Sequence, residues 1–372
     1  MGTAGLTNSL AGRERETREP RPFVVGWRPT SSDPRIASAR IRCLNPLREL
    51  RSRGYPVELF DPGCSADYSV VVYSKVYDQA VQVEARHLRA TGTRIVLDLC
   101  DNHFYNPRHL AILRNAATQL RRMLDETDEL VASTDAMAQV LRDEVGDAKP
   151  ITVIGDAVET TIEGVRTARW ERWWARRRLR ALARWLGTDS KTTRLVWFGS
   201  HGGPSGDHGM GDLEILRSPL EQLHQEHPVS LTVITNSAAK FDRLMRPWKV
   251  PTRYLEWSAD TFLDALRLHS IALIPVRENP FTRCKTNNRL VTAFAAGLAV
   301  VASGIPSYRP FEACCVLDDW LTGLRGYIFD PAARQRAVAA GQTLVQCEWT
   351  LPRIADRWQA YFDGFRRQDP RK

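Results

Sequence analysis

The sequence has no apolar block near its start. Residues 1–22 are polar and rich in Arg and Glu, so no secretory signal is expected there. It also has no cysteine framework. The seven cysteines (Cys43, Cys64, Cys100, Cys284, Cys314, Cys315 and Cys347) are odd in number and lack paired metal-ligand spacing. Only Cys314 and Cys315 are close, and neighbours rarely bridge, so reduced thiols in a cytosolic protein are expected. Long hydrophobic runs are missing too. The longest uncharged window, 290–308, nears membrane-spanning length but contains Gly297, Gly304 and Pro306 with the polar Thr292, Ser303 and Ser307. It reads as a buried helix, a tight turn and a buried strand. Short-period repeats and low-complexity tracts are absent.

Outside one segment there is little net charge. The chain carries a formal +9, but residues 166–185 hold eight arginines and one glutamate, +7, leaving +2 for the rest. A nucleic-acid partner bound on a broad basic face is therefore not expected. The same segment holds Trp170, Trp173, Trp174 and Trp185, four of the eleven tryptophans. On a helix, Trp170, Trp174, Leu182 and Trp185 share one side with the arginines elsewhere. That composition suits a helix lying at an anionic membrane surface. The plainer alternative is a packed helix whose arginines pair with acids. What remains is ordinary globular composition, 43% hydrophobic and 26% charged, and 372 residues suffice for two domains at roughly 150 residues each.

From residue 21 onward short apolar runs alternate with helix-length amphipathic stretches. The first half predicts strands at 23–26, 57–60, 69–73, 94–99, 129–133 and 151–154. Helices are expected near 36–53, 77–90, 108–125 and 135–145, with Ser133 or Thr134 as N-cap of the last. Runs such as Val70-Val71-Val72 are apolar on both faces, as parallel strands covered by helices are. The pattern breaks at 155–165 and then resumes, with strands at 195–198, 231–235, 271–275 and 299–302. Helices follow near 211–224, 260–268, 287–296, 332–345 and 352–365. The fold class is α/β, two doubly wound parallel sheets.

Ligands of such sheets sit beyond the carboxyl ends of strands and at helix N-termini, so the residues just after each strand carry the information. After 195–198 comes Gly199-Ser200-His201-Gly202-Gly203-Pro204, where bare amides can approach a phosphate. After 231–235 come Asn236 and Ser237. After 271–275 a loop delivers Lys285 to a helix opening Thr286-Asn287-Asn288-Arg289, which combines a helix dipole, amide donors and two cations for a diphosphate. Each has a plainer reading: an ordinary turn for the glycines, a solvated helix face for Lys285 and Arg289.

At these residues the chain resembles GT-B glycosyltransferases, within the group 1 or family 4-like set of retaining sucrose- and mannosyltransferase-like enzymes. Ala295-Ala296-Gly297-Leu298-Ala299-Val300-Val301-Ala302-Ser303 resembles the family's helix–Gly–strand element after the donor site. Trp197-Phe198-Gly199-Ser200 resembles the opening of its donor domain, residues 151–158 (ITVIGDAV) the linker before it, and Ser38-Ala39-Arg40-Ile41-Arg42 the acceptor-side first loop and helix. The resemblance implies two Rossmann-like domains facing a cleft: a tail at 1–20, an acceptor-side domain at 21–158, a donor-binding domain at 159–350, and a terminal helix at 351–372 packing back on the first domain. The family's paired glutamates are missing, with Cys284 and Thr292 in their places, and the usual Arg and Lys after the first donor strand are not evident in 200–210.

The implied activity is transfer of a hexose-type sugar from a nucleotide-sugar donor to a glycan or lipid-linked acceptor, in cell-surface polysaccharide or glycolipid synthesis. Donor-binding candidates are Gly199, Ser200, Gly202, Gly203, Asn236, Lys285, Asn288 and Arg289. Cations and helix-end amides stabilise the leaving diphosphate. No Asp-x-Asp lies in a loop suited to Mg²⁺, and metal independence is usual in the family, so neither metal nor cofactor is expected. In the titratable loop after the strand at 94–99, Asp101 or His103 is the candidate base, unless Asp101 merely caps a helix. A cytoplasmic location is expected, peripheral at the inner membrane face if 166–185 binds lipid. The rivals are a catalytically degenerate GT-B domain acting as a binding or membrane-associated protein, and a sugar-nucleotide epimerase.

Overall fold

The computed structural model describes residues 22–63, 68–202 and 208–368. Six strands build the first sheet: β1 (Val25–Pro29), β2 (Val57–Leu59), β3 (Val70–Ser74), β4 (Arg94–Leu99), β5 (Glu129–Ala132) and β6 (Ile151–Val153). All pair in parallel, in the order β2-β1-β3-β4-β5-β6. β3 is buried along its whole length, as a strand covered by helices on both faces must be. The coverings are a helix that starts as α1 (Ala37–Ala39), widens into a π-helical turn at Arg40–Leu44 and continues as α2 (Asn45–Ser52), followed by α3 (Gln79–Ala90), α4 (Ala111–Glu126) and α5 (Asp135–Val145). The side chains of Asp78 and Thr134 cap α3 and α5 by accepting first-turn amides.

The chain then runs through α6 (Arg169–Leu186) into a second parallel sheet. Its strands are β7 (Thr193–Phe198), β8 (Val229–Thr235), β9 (Thr252–Glu256), β10 (Ile271–Ile274), β11 (Ala299–Ala302) and β12 (Val316–Leu317), in the order β12-β11-β10-β7-β8-β9. Around them lie α7 (Arg217–Glu226), α8 (Ala238–Met245), α9 (Phe262–Leu266), α10 (Asn288–Ala295), α11 (Trp320–Phe329), α12 (Pro331–Glu348) and α13 (Leu351–Gln368). In both sheets the strand order reverses once, between β1 and β3 and between β7 and β10. Those reversals are the switch points where doubly wound sheets hold ligands.

The expected α/β class with two doubly wound parallel sheets is what the structure shows. Several elements differ from expectation. The helix read at 211–224 is a 3₁₀ stretch at Gly209–Leu216 followed by α7. α8, β9, α11 and β12 lie outside the elements that the sequence pattern predicts. β9 is a partly exposed edge strand of mixed polarity, and β12 has only two residues, so neither gives the apolar run of a central strand. Among the described residues no helix is long and apolar enough to cross a membrane.

α13 buries Ile354, Trp358, Phe362 and Phe365 in one cluster with Trp27, Leu50 and Tyr55 of the first half. Trp27 and Trp358 meet edge-on, with ring centroids 4.6 Å apart. α6 corrects one reading of its faces. Leu182 is fully buried and Trp185 packs against the second-half core, so the side shared by Trp170, Trp174, Leu182 and Trp185 turns inward along its C-terminal part. Only the N-terminal turns leave indoles in solvent.

Candidate functional site

The carboxyl ends of the two sheets bound a cleft of about 390 Å³. Ala37, Ser38, Ile41, Arg42, Cys100, Asp101 and Asp156 line it from the first half. Gly199, Ser200, Gly209, Asp212, Lys285, Asn288, Arg289 and Tyr308 line it from the second. Five of the sequence-derived donor residues and Asp101 therefore share one space. Asn236, Gly202 and His103 are not on its wall, and Gly203 lies outside the described residues.

The glycine loop after β7 owes its course to backbone conformation. Gly202 (φ +100°) and Gly209 (φ +78°) are left-handed, and a Cβ at either would lie 2.3 Å from the His208 carbonyl oxygen or 2.5 Å from that of Ser200. Asn236 braces this loop from behind: its Oδ1 accepts the His201 amide at 3.2 Å and lies 2.8 Å from His201 Nδ1. Lys240 bonds the His201 carbonyl. Asp212, buried beneath the loop, accepts the amides of Gly209 (3.0 Å) and Arg277 (3.4 Å), joining the loops after β7 and β10. Burial pushes its carboxyl above the ordinary value.

α10 starts at the cleft, and no side chain caps its N-terminus, so its first amides point at the space with the positive end of the helix dipole. Arg289 sits in its first turn, near Gly199 and the buried Tyr308 hydroxyl, and among the described residues it forms no ion pair. Asn288 donates to Asp156 Oδ2 at 2.7 Å, while its own Oδ1 has no partner among the described residues. Lys285 reaches across to bond Asp101 of the first half, while its ammonium stays 4.1 Å from the Phe281 ring centroid of the second. Cys284 is buried, its sulfur 3.5 Å from the Pro280 carbonyl oxygen, and Thr292 lies inside α10; neither lines the cleft.

On the first-half wall Asp101 is held between Lys285 and Lys75. Burial works against its charge, but the two ammonium groups outweigh it and keep the carboxyl well below the usual range. Lys75 itself is a left-handed non-glycine residue (φ +58°) at the end of β3. His103 lies behind Asp101, with Nδ1 2.6 Å from the Tyr77 hydroxyl and Nε2 4.0 Å from the Asp101 carboxylate. Burial, with Lys75 nearby, lowers it to about 4, so the ring is neutral at neutral pH.

Sequence reasoning assigned no role to the most buried charges. Arg42 forks onto Asp98 (2.6 Å), reaches Asp156 (3.2 Å) and donates to the carbonyls of Ile154 and Gly155. Burial pushes the Asp98 carboxyl up against the pull of Arg42, and Ser74 donates to it at 2.8 Å. In the sequence Arg42 stands out only as part of the motif Ser38-Ala39-Arg40-Ile41-Arg42. The π-helical turn that carries it, a feature frequent at functional sites, has no sequence signal. Two further bonds tie the halves together: Asn102 Nδ2 to the Pro280 carbonyl (3.0 Å) and Thr134 Oγ1 to that of Cys284 (3.2 Å).

No sequence-family model matches the chain, and no curated protein does. Solved structures do. Sucrose-phosphate synthase from Thermosynechococcus elongatus superposes with a TM-score of 0.69 at 11% identity, covering 94% of this chain and all of that one. HepE of Anabaena, solved in complex with UDP, gives 0.63 at 14% identity over 92% of this chain and all of that one. WaaG, a glycosyltransferase involved in lipopolysaccharide biosynthesis, gives 0.58 at 14% identity over 90% of this chain and 99% of that one. At such identities the likeness concerns the fold, and the chain has the GT-B fold.

Proposed function

We propose that the protein is a glycosyltransferase that moves a hexose-type sugar from a nucleotide-sugar donor to a glycan or lipid-linked acceptor, in cell-surface polysaccharide or glycolipid synthesis. The observation that carries this reading is Arg289: a cation outside any ion pair among the described residues, at an uncapped helix start, beside a glycine loop at the second sheet's switch point. A diphosphate placed there meets amides, a helix dipole and a guanidinium. As the glycosidic bond breaks, negative charge grows on the leaving diphosphate, and these groups stabilise it without a metal ion. The fold neighbours support a nucleotide-sugar donor, since HepE was solved with UDP and with UDP-glucose.

The acceptor side is Asp101. Pinned by two lysines it is a weak base. When a donor diphosphate draws Lys285 away, Asp101 loses the stronger of its two stabilising cations and its basicity rises. Donor binding thereby readies the carboxylate to take the acceptor proton. His103 serves Asp101 from outside the cleft, as a neutral neighbour.

The peripheral-membrane part of the reading rests on α6. Arg169, Arg172, Trp173, Arg176, Arg177 and Arg180 form an outer stripe. Such a stripe attracts anionic lipid at up to about 1 kcal/mol per basic residue, which supports a peripheral position at the inner face of the cytoplasmic membrane. The missing glutamate pair favours the rival, a degenerate domain that binds without transferring. A thermal-shift screen against UDP, GDP, ADP and CMP tests the donor site, because a ligand that binds only the folded state raises the melting temperature. No shift with any of them sinks the transfer reading. A shift without hydrolysis or transfer of the matching nucleotide sugars leaves the degenerate rival.

A further inference from the structure

A second concavity lies outside the cleft. It is an open groove of about 490 Å³ between the first turns of α6, residues 165–167 and the residues that follow β9. Three tryptophans line it: Trp170 and Trp174, one turn apart on α6, and Trp257. Trp170 is 65% exposed and Trp174 45%, while Trp257 is packed against Phe262 with its ring held in place. Most of the charged rim has partners. Arg178 pairs with Glu256, Arg35 with Asp33, and the Glu171 carboxylate accepts the Ala168 amide.

Flat apolar faces bordered by fixed polar groups match the chemistry of a pyranose. The axial C–H face of a sugar ring is apolar and weakly positive, and it stacks on the electron-rich face of an indole. The hydroxyls around the ring both donate and accept, which suits a rim of guanidinium, carboxylate and Ser258 hydroxyl groups. Residues four apart on a helix are about 6 Å apart along its axis, so Trp170 and Trp174 offer successive platforms along the groove.

The groove adjoins the cleft. Arg35 lines the groove, whereas Ala37, Ser38 and Ile41 line the cleft. Between them Arg40 lays its guanidinium 5.9 Å from the Trp257 ring centroid, and Glu159 anchors it from the other side. One short wall, residues 35–41, therefore separates the two concavities.

We propose that this groove is a remote acceptor subsite for an extended pyranose glycan. Trp170, Trp174 and Trp257 hold sugars distant from the reacting end, and that end crosses residues 35–41 into the cleft. The proposal rests on the glycosyl-transfer reading and narrows its acceptor to a chain of several sugars. A lipid surface fits this site less well, because the indoles line a concavity and the unpaired arginines lie mainly on the outer stripe of α6.

The test is native affinity electrophoresis of the full chain in gels containing dextran, amylose, galactomannan, xyloglucan, alginate or hyaluronan. Trp170→Ala/Trp174→Ala alters only exposed side chains, and melting plus nucleotide thermal shift certify its fold and donor site. The expected result is retardation of wild type in at least one gel, weakened at least tenfold in the double variant with both controls unchanged. Equal migration of wild type and variant in every gel overturns the proposal. So does a variant that keeps its retardation but loses pelleting with anionic vesicles of phosphatidylglycerol and phosphatidylcholine, which makes the indoles a lipid anchor. Retardation without any nucleotide shift sinks the transfer reading instead and leaves a glycan-binding groove.

Discussion

Arg289 and Lys285 differ in what a diphosphate must displace. Arg289 bonds the Tyr308 hydroxyl and, with the Asp212 carboxyl near enough to feel its charge, still forms no ion pair among the described residues; Lys285 must first leave Asp101. Arg289→Ala is expected to weaken nucleotide binding by about 1.5–3 kcal/mol, the scale of charge-assisted hydrogen bonds, and Lys285→Ala by less. Titration calorimetry with whichever nucleotide stabilises the protein checks this; equal affinity of Arg289→Ala and wild type removes Arg289 from the site. These two residues were legible because strand ends and helix starts have chemical meaning in a doubly wound sheet. Asn236 was placed by the same rule, yet its side chain turns back to His201, since proximity to a strand end says nothing of direction. Arg42 and Asp156 stand within two quoted motifs, but their pairing has no signal: the ion pair joins residues 114 apart, and no local pattern marks it.

His103 and His269 set a second expectation at the residue scale. Burial lowers both to about 4, against an ordinary value near 6.5. The unfolded chain therefore binds more protons than the folded one between about pH 4 and 6.5. Stability rises with pH across that window and levels off above it. Thermal melts from pH 4.5 to 7.5 should show this slope, and His103→Gln should reduce it. Identical slopes in wild type and variant rule out a neutral, buried His103.

α6 is the element on which the proposed membrane and acceptor contacts depend. Its 18 residues carry the largest local charge in the chain, and the structure sorts them into an inward side, a groove side and an outer arginine stripe. The helix itself is legible from spacing, and the plainer reading of a packed helix holds for its C-terminal part, where Leu182 and Trp185 meet the core, while Trp170 and Trp174 stay exposed. Periodicity ranks residues by angle and does not reveal that the apolar side changes its neighbour from solvent to core along the helix. Sedimentation with phosphatidylglycerol-containing vesicles at low salt is expected to pellet the protein. Neutral vesicles or high salt should abolish that, since screening acts over about 10 Å at 0.1 M. Arg172→Glu/Arg176→Glu/Arg180→Glu should eliminate pelleting. Pelleting that is indifferent to salt and to these charges contradicts the electrostatic reading.

At the scale of the whole molecule, the terminal helix is the element that returns the chain to its beginning. α13 covers Trp27 and Tyr55 of the first half, and Trp358 carries the Arg42 guanidinium 5.3 Å from its ring centroid. Arg42 in turn holds Asp98 and Asp156, and Asp156 holds Asn288 at the start of α10. A contact made by the last helix thus reaches the second-half wall of the cleft through one cation–π contact and two hydrogen bonds. Trp358→Ala removes a fully buried indole and is expected to cost about 3–5 kcal/mol of stability, read as a lower denaturation midpoint with an unchanged slope. The variant should also lose nucleotide affinity, because a cavity beneath Arg42 loosens the pair that positions Asn288. Arg289 and the glycine loop, which do not depend on that chain of contacts, should keep the loss smaller than in Arg289→Ala. Nucleotide affinity equal to wild type in a destabilised Trp358→Ala would show that α13 supports the fold alone and that the path through Arg42 ends at Asp156.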